Sequence, residues 1–342
     1  MSATNRAGGR AQVDVSRETP PWAAAYDAPS APGDVSRETS AADVVTPARG
    51  SDTPLGDQAA IDARRRIRLA GLRFPKPSHT RIITVANQKG GVGKTSTAVN
   101  LAAALAKGGL RVLVIDTDPQ GNASTALGID HHQGVTSIYD VLLGGTPMLN
   151  AVAGCPDVAG LWCVPATLYL SRAEIELVNL PRREYRLIDA MDELRRGLVH
   201  AGEAPLDYIF IDCPPSLGLL TLNAFVAANE VLIPIQCEYY ALEGLSQLND
   251  TITGIKAGLN PELVLSTILL TMYDARTNLA HDVVNEVRQW FPAQTLQTTI
   301  PRSVKISEAP GFDQTVITWD PNSSGALAYL AAAQEIAERG RA

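Results

Sequence analysis

Between Val85 and Ala106 the chain reads VANQKGGVGKTSTAVNLAAALA. Gly90, Gly91 and Gly93 allow main-chain amides to turn inward around phosphate oxygens, and a helix opening just beyond them adds its positive N-terminal end. Lys94 can reach β- and γ-phosphates, and the Thr95 hydroxyl can ligate Mg²⁺. The chemistry is nucleoside triphosphate binding, with one departure. The standard G-x-x-x-x-G-K-[ST] pattern needs glycine at position 88. Gln88 stands there, and Lys89 puts a second cation at the mouth of the loop.

Two acidic motifs serve the same purpose. YIFIDCPPS ends an apolar run in Asp212, where a carboxylate on a neighbouring strand would hold the Mg²⁺ shell; alone, such a residue reads as a strand-end turn cap. VIDTDPQGN carries Asp116 and Asp118. Pro119 stiffens the turn after Asp118, so that carboxylate can orient water for in-line attack on a γ-phosphate. The alternative for Asp118 is a helix N-cap or an Asx-turn.

These residues need strands that end together. Hydrophobic periodicity predicts strands at 81–86, 111–116, 161–165, 208–212, 230–235 and 264–271, a short one near 296–299, and another at 315–319. Helices are expected at 95–107, 137–143, 182–200, 217–227, 241–257, 279–290 and 324–339. Such alternation specifies an α/β fold: a mostly parallel central sheet with helices on both faces, in three layers. VLVID and YIFID are apolar almost throughout, as strands buried on both sides should be.

Residues 1–56 are rich in Ala, Pro, Ser, Thr, Gly and Asp without apolar periodicity, and are expected to be a disordered low-complexity tail; DVSRET occurs in it twice. Residues 57–80 read as a basic linker or helix, and 81–342 as the folded domain. The stretch Ile61–Arg81 carries Arg64, Arg65, Arg66, Arg68, Arg73, Lys76 and Arg81 against Asp62 alone, so it either touches phosphates or is a solvated helix leading into the domain. No run of roughly 20 apolar residues suggests a membrane span, no signal-peptide pattern opens the chain, and a cytoplasmic location is expected. Cys155, Cys163, Cys213 and Cys237 lack the spacing of a metal site or disulfide framework. His131 and His132 read as a loop pair rather than as metal ligands. From Ile82 onward 17 Lys and Arg face 27 Asp and Glu, so contact with nucleic acid would need a local patch.

KGGVGKT, DTDPQGN and FIDCPPS, in this order and spacing, resemble the deviant Walker ATPases of the ParA/MinD superfamily. TMYDARTNLAHDVVNEV and IPRSVKISEAPGFDQTVITWDPNSSGA are similar to its partitioning ATPases, called ParA or Soj. The resemblance covers about 81–339 and implies a P-loop NTPase that hydrolyses ATP with Mg²⁺, slowly alone and faster with a ParB-like centromere-binding partner. It implies nucleotide contacts at Lys89, Gly90, Gly91, Val92, Gly93, Lys94, Thr95, Ser96, Asp118, Asp212 and Pro301. Thr95 and Asp212 would serve the metal, and Lys89, Lys94 and Asp118 catalysis. Lys89 would act across an ATP-sandwich homodimer on the partner's phosphates. That dimer would bind double-stranded DNA non-specifically through Arg276, Arg302 and Lys305, associate with the nucleoid, and let go upon hydrolysis. Against this, Arg276 and Arg302 could belong to the nucleotide pocket or to ion pairs with Asp274 or Glu308. A MinD-like membrane-associated positioning ATPase is the alternative, but it would end in a detachable basic amphipathic helix. The alanine-rich final helix here suits packing on the domain. A nitrogenase-type reductase would need cluster-bridging cysteines, which these four do not match.

Overall fold

The structure, a computed structural model, describes residues 54–71, 73–239 and 241–340. The expected disordered tail lies outside the described residues up to residue 53. In chain order the elements are α1 (Pro54–Leu69), β1 (Arg81–Val85), α2 (Lys94–Lys107), β2 (Val112–Asp116), α3 (Asn122–Ala126), α4 (Ile138–Gly144), β3 (Ala153–Gly154), β4 (Leu161–Val164), α5 (Ala173–Glu176) and α6 (Arg186–His200). They continue with β5 (Tyr208–Asp212), α7 (Leu219–Ala227), β6 (Glu230–Gln236), α8 (Ala241–Gly258), β7 (Val264–Thr271), α9 (Asn278–Trp290), α10 (Val304–Glu308), α11 (Val316–Trp319) and α12 (Ser324–Arg339).

The sheet runs β3-β4-β2-β5-β1-β6-β7, and every neighbouring pair is parallel except β3 with β4. Successive strand residues point to opposite faces, so β1 sends Ile82 into one core and Ile83 and Val85 into the other. One core packs under α6, α7, α8 and α9, the other under α2, α11 and α12. Both faces are covered, which accounts for the near-continuous apolar strands.

Register decides what meets at the sheet's C-terminal edge. Val85 pairs with Asp212, and Asp116 pairs with Asp212 on the other side of β5. The glycine loop leaving β1 therefore starts beside the carboxylate ending β5, at the edge where ligands bind in open α/β sheets. β1 is anchored at its other end by Arg81. Its guanidinium donates to both carboxylate oxygens of Glu230 (2.6 and 2.7 Å) and to the carbonyl of Ile336 (2.7 Å).

Two expected strands are not strands. Most of 315–319 is α11 (Val316–Trp319), with the Val316 amide donating to Asn100 Oδ1 (2.8 Å) and Phe312 stacked on Trp319. The β-branched run is buried against helices, with no sheet edge beside it, so its strand preference finds no partner. Residues 296–299 run beside β7 without becoming a strand. Leu296 and Ile300 donate to the carbonyls of Ile268 and Leu270, and Thr295 forms a single bridge.

α1 docks on the start of α12. Asp62, the lone acid among the arginines, is buried there, accepting from Gln58 Nε2 (2.9 Å) and from the Ser324 hydroxyl. The final helix buries Ala326, Ala328, Ala332 and Ala333, and its alanines let it pack closely on α2.

Candidate functional site

The phosphate loop is held at three points. Asn87 Nδ2 donates to the Pro234 carbonyl (2.8 Å), and its Oδ1 accepts from the Lys89 amide (2.9 Å), fixing the start of the loop to β6. The Thr271 hydroxyl at the end of β7 donates to the Val92 carbonyl (2.9 Å). Gly91 and Gly93 have φ of 76° and 90°, the left-handed region that a side chain would strain. Gly93 then opens α2, whose first amides face the loop.

Lys94 lies buried in this cradle, its Nζ donating to the Lys89 carbonyl (3.3 Å). Burial lowers its pKa, and the nearby Asp212 and Asp118 oppose that shift. Asp212 is fully buried, and neither of its oxygens has a hydrogen-bond partner of good geometry among the described residues. Burial and the facing Asp116 push its pKa well above the ordinary carboxylate range; Thr95 and Lys94 offset part of that.

The two acids of VIDTDPQGN divide the work. Asp116 is structural: Oδ2 accepts from the amide (2.9 Å) and hydroxyl (2.7 Å) of Ser124, and Oδ1 from the Asp118 amide (3.1 Å). Burial pushes its pKa up to about 6. Asp118 instead lines a cavity of about 400 Å³ together with Gly90, Gly91, Gly93, Lys94, Thr95 and Ser96. One Asp118 oxygen does accept from the Gln120 amide (3.0 Å), so the Asx-turn and the cavity-facing carboxylate coexist.

Lys89 stands outside the cradle. Its side chain is half exposed and ion-paired with Glu238, in the loop after β6. Pro301 does not line the phosphate cavity either; it borders a neighbouring one beside Tyr273.

The three basic residues expected at DNA sit near one another and carry acidic neighbours. Arg276 is 77% exposed and grips Asp274 with two hydrogen bonds (2.8 and 2.7 Å), which holds the Asp274 carboxyl far below its usual range; Arg302 adds to that pull. Lys305, on α10, lies 3.4 Å from Glu308. The Arg276–Asp274 ion pair weighed against a DNA role is thus present, on an exposed face.

Sequence reading missed Thr271, Met272, Pro215 and Pro310, which hold or line the phosphate cavity, and Glu238. Asn87 had a local signal, since an asparagine two residues before an amide that needs an acceptor forms an Asx-turn. Pro215, Thr271, Met272 and Pro310 lie inside stretches quoted above without a role assigned to them, whereas Glu238 comes from a distant segment and leaves no spacing to read. Met272 has φ of 51°, unusual for a side chain, at the point where the chain leaves β7.

Residues 80–265 match a family model described as an AAA domain. The chain is 52% identical over 259 residues to the chromosome partitioning protein ParA of Myxococcus xanthus, covering 76% of this chain and 88% of that protein. It is 48% identical over 260 residues to the sporulation initiation inhibitor protein Soj of Bacillus subtilis, covering 76% and 99%. Among solved structures it is similar to cobyrinic acid a,c-diamide synthase from Mycobacterium smegmatis with bound ATP analogue and magnesium. There the TM-score is 0.63, the identity 37%, and the coverage 75% of this chain and 94% of that one.

Proposed function

The chain belongs to the ParA/Soj family of chromosome-partitioning ATPases, and from that membership we propose that it dimerises around ATP, binds DNA non-specifically as a dimer, and lets go when a ParB-like partner speeds hydrolysis. The carrying observation is the convergence of the left-handed glycines, Lys94, Asp118 and the orphaned oxygens of Asp212 at one sheet edge.

In this reading 81–342 is the ATPase domain, 57–80 a basic connector and 1–56 a tail. The amides of Gly90 to Ser96 and the Lys94 ammonium bind the polyphosphate, and Pro301 lies toward the base. Asp212 and Thr95 fit a hard cation, because a buried carboxylate with two unused oxygens beside a hydroxyl is an oxygen donor set without its acceptor. When bound, Mg²⁺ would neutralise charge on the β- and γ-phosphates. Asp118 orients the attacking water, and Asp116 holds the turn that aims it.

Lys89 supplies the trans contact. Two cations crowded on one triphosphate repel, whereas one given by each subunit meets the partner's charge. For that, Lys89 must exchange Glu238 for phosphate. Dimerisation doubles a sparse patch of Arg276, Arg302 and Lys305, so DNA affinity follows the dimer and falls with salt. The protein would work on the nucleoid, within the cytoplasm. A MinD-like membrane role gains no support from α12, whose apolar residues are buried, or from helix length, since no described helix is long and apolar enough to cross a membrane.

The experiment is DNA binding in ADP, ATP and a non-hydrolysable ATP analogue, repeated with anionic liposomes. Retention on DNA with ATP and the analogue but not ADP, and none on liposomes, is expected. Nucleotide-independent DNA binding, or ATP-dependent liposome binding, overturns the proposal.

A further inference from the structure

A second cavity, of about 360 Å³, lies between α1 and the chain around Tyr273 and Pro301. Its walls include Gln58, Ile61 and Arg65 from α1 and Tyr273, His281 and Pro301 from the ATPase body. Consecutive residues line the two cavities, Met272 the phosphate cavity and Tyr273 this one.

We propose that this second cavity takes the planar base of the bound nucleotide, and that α1 supplies one wall of it, with Arg65 packing against the base and Gln58 reading its edge. The proposal deepens the nucleotide reading above and rests on it.

The lining suits a flat heteroaromatic group. Pro301 and Ile61 offer apolar faces; a guanidinium stacks on a π-system, and an amide can hydrogen-bond a base edge. The body-side wall is rigid. The Tyr273 amide donates to the Ile300 carbonyl (3.0 Å), and the Arg302 amide to the Tyr273 carbonyl (3.1 Å). The Tyr273 hydroxyl lies 3.2 Å from His281 Nδ1, with the two rings at 86°.

The α1 wall is held at two points: the Arg66 guanidinium donates to the Asn322 carbonyl (3.4 Å), and Asp62 makes the second contact. Asp62 is buried against the start of α12, accepting from Gln58 and Ser324, and Arg65 lies 4.0 Å from it. At that distance Arg65 is only weakly neutralised, although 85% of its side-chain surface is covered. A stacked base would give that cation a neighbour with a favourable quadrupole, close to the negative charge of a triphosphate. The matched family model begins at residue 80, after α1 ends. Tyr273, His281 and Pro301 on the facing wall lie outside that match as well, since it ends at residue 265.

The test is isothermal titration of the full chain, in Mg²⁺, with ATP and separately with inorganic tripolyphosphate, for the parent, Arg65→Ala and Gln58→Ala. Hydrogen exchange of the α1 amides reports whether the helix stays docked. Arg65→Ala is expected to weaken ATP about 5- to 10-fold and Gln58→Ala about threefold, while tripolyphosphate affinity is unchanged. Asp62→Asn, which loosens α1, is expected to weaken ATP likewise and to raise α1 exchange. Unchanged ATP affinity in Arg65→Ala and Gln58→Ala with α1 docked overturns the proposal. Equal losses for ATP and tripolyphosphate also overturn it, since α1 would then act through the fold and not on the base. A parent chain that binds neither ligand refutes the nucleotide reading itself, a distinct result.

Discussion

Replacing Asp212 by Asn should make the protein more stable without ligand and less responsive to it. Asp212 is wholly buried beside Asp116, and neither carboxylate oxygen finds a hydrogen bond of good geometry. An unsatisfied buried polar group costs about 1–3 kcal/mol, and a charged one more. Asparagine keeps the volume and removes the repulsion from Asp116, but its own amide stays buried there, so a gain of about 1–2 kcal/mol is expected. At about 2–4 °C per kcal/mol for a domain of this size, the melting temperature without nucleotide should rise by about 2–8 °C. Ligand should reverse the order. At 100 times its Kd, Mg-ATP stabilises the parent by about 2.7 kcal/mol, and the variant, stripped of a cation ligand, should gain much less. Thermal melts with and without Mg-ATP, at fixed protein concentration, measure both halves. A variant that melts below the parent without nucleotide would show that the buried carboxylate is satisfied. A variant that keeps the full Mg-ATP shift would show that Asp212 does not serve the cation.

Lys89→Ala should still bind ATP, because Lys94, Thr95 and the loop amides remain, but light scattering in ATP should show a weakened dimer; Glu238→Gln, which frees Lys89, should shift the same curve the other way. Arg276→Glu should lower the slope of log DNA affinity against log salt by about 2 across a dimer, and Asp274→Asn, which releases Arg276 from its ion pair, should strengthen binding at low salt; gel shifts over a salt series read both. Arg81→Met should cost about 3–5 kcal/mol in urea unfolding by stranding the nearly buried Glu230. Burial pushes the Glu230 carboxyl up, but the Arg81 hydrogen bonds outweigh it and hold the pKa below its ordinary value. The pair's contribution is thus full above about pH 4.3 and fades as pH falls through the lower folded value, so the gap between parent and variant should close in acid.

How much of this could be read beforehand follows from where the information sits. The central strands were legible because burial on both faces leaves a continuous apolar run, and Tyr208–Asp212 matches residue for residue; the edge strand Val264–Thr271 matches as well. Asp118 was separable from Asp116 in sequence only through Pro119; the structure separates them by partners, two from Ser124 on one and an open cavity beside the other. Thr315–Trp319 misled because β-branched residues also fill cores, and local composition does not reveal whether a sheet edge is at hand. Thr271, Glu238 and the docking of α1 through Asp62 depend on partners 149 to 262 positions away along the chain, beyond any periodic signal.

The strand order also governs how the molecule comes into being. β1 and β2 emerge first, yet they are not neighbours: the place between them belongs to β5, about 90 residues further on. At roughly 5–20 residues per second, a ribosome leaves that gap open for about 5–20 s. During that time two apolar strands lack the partner that joins them, and the nascent chain exposes edges that invite wrong pairing or chaperone capture. Insertion of β5 closes the gap and, in the same motion, carries Asp212 to the glycine loop. β6 and β7 must still join the other edge of β1 before Pro234 and Thr271 can hold that loop in place.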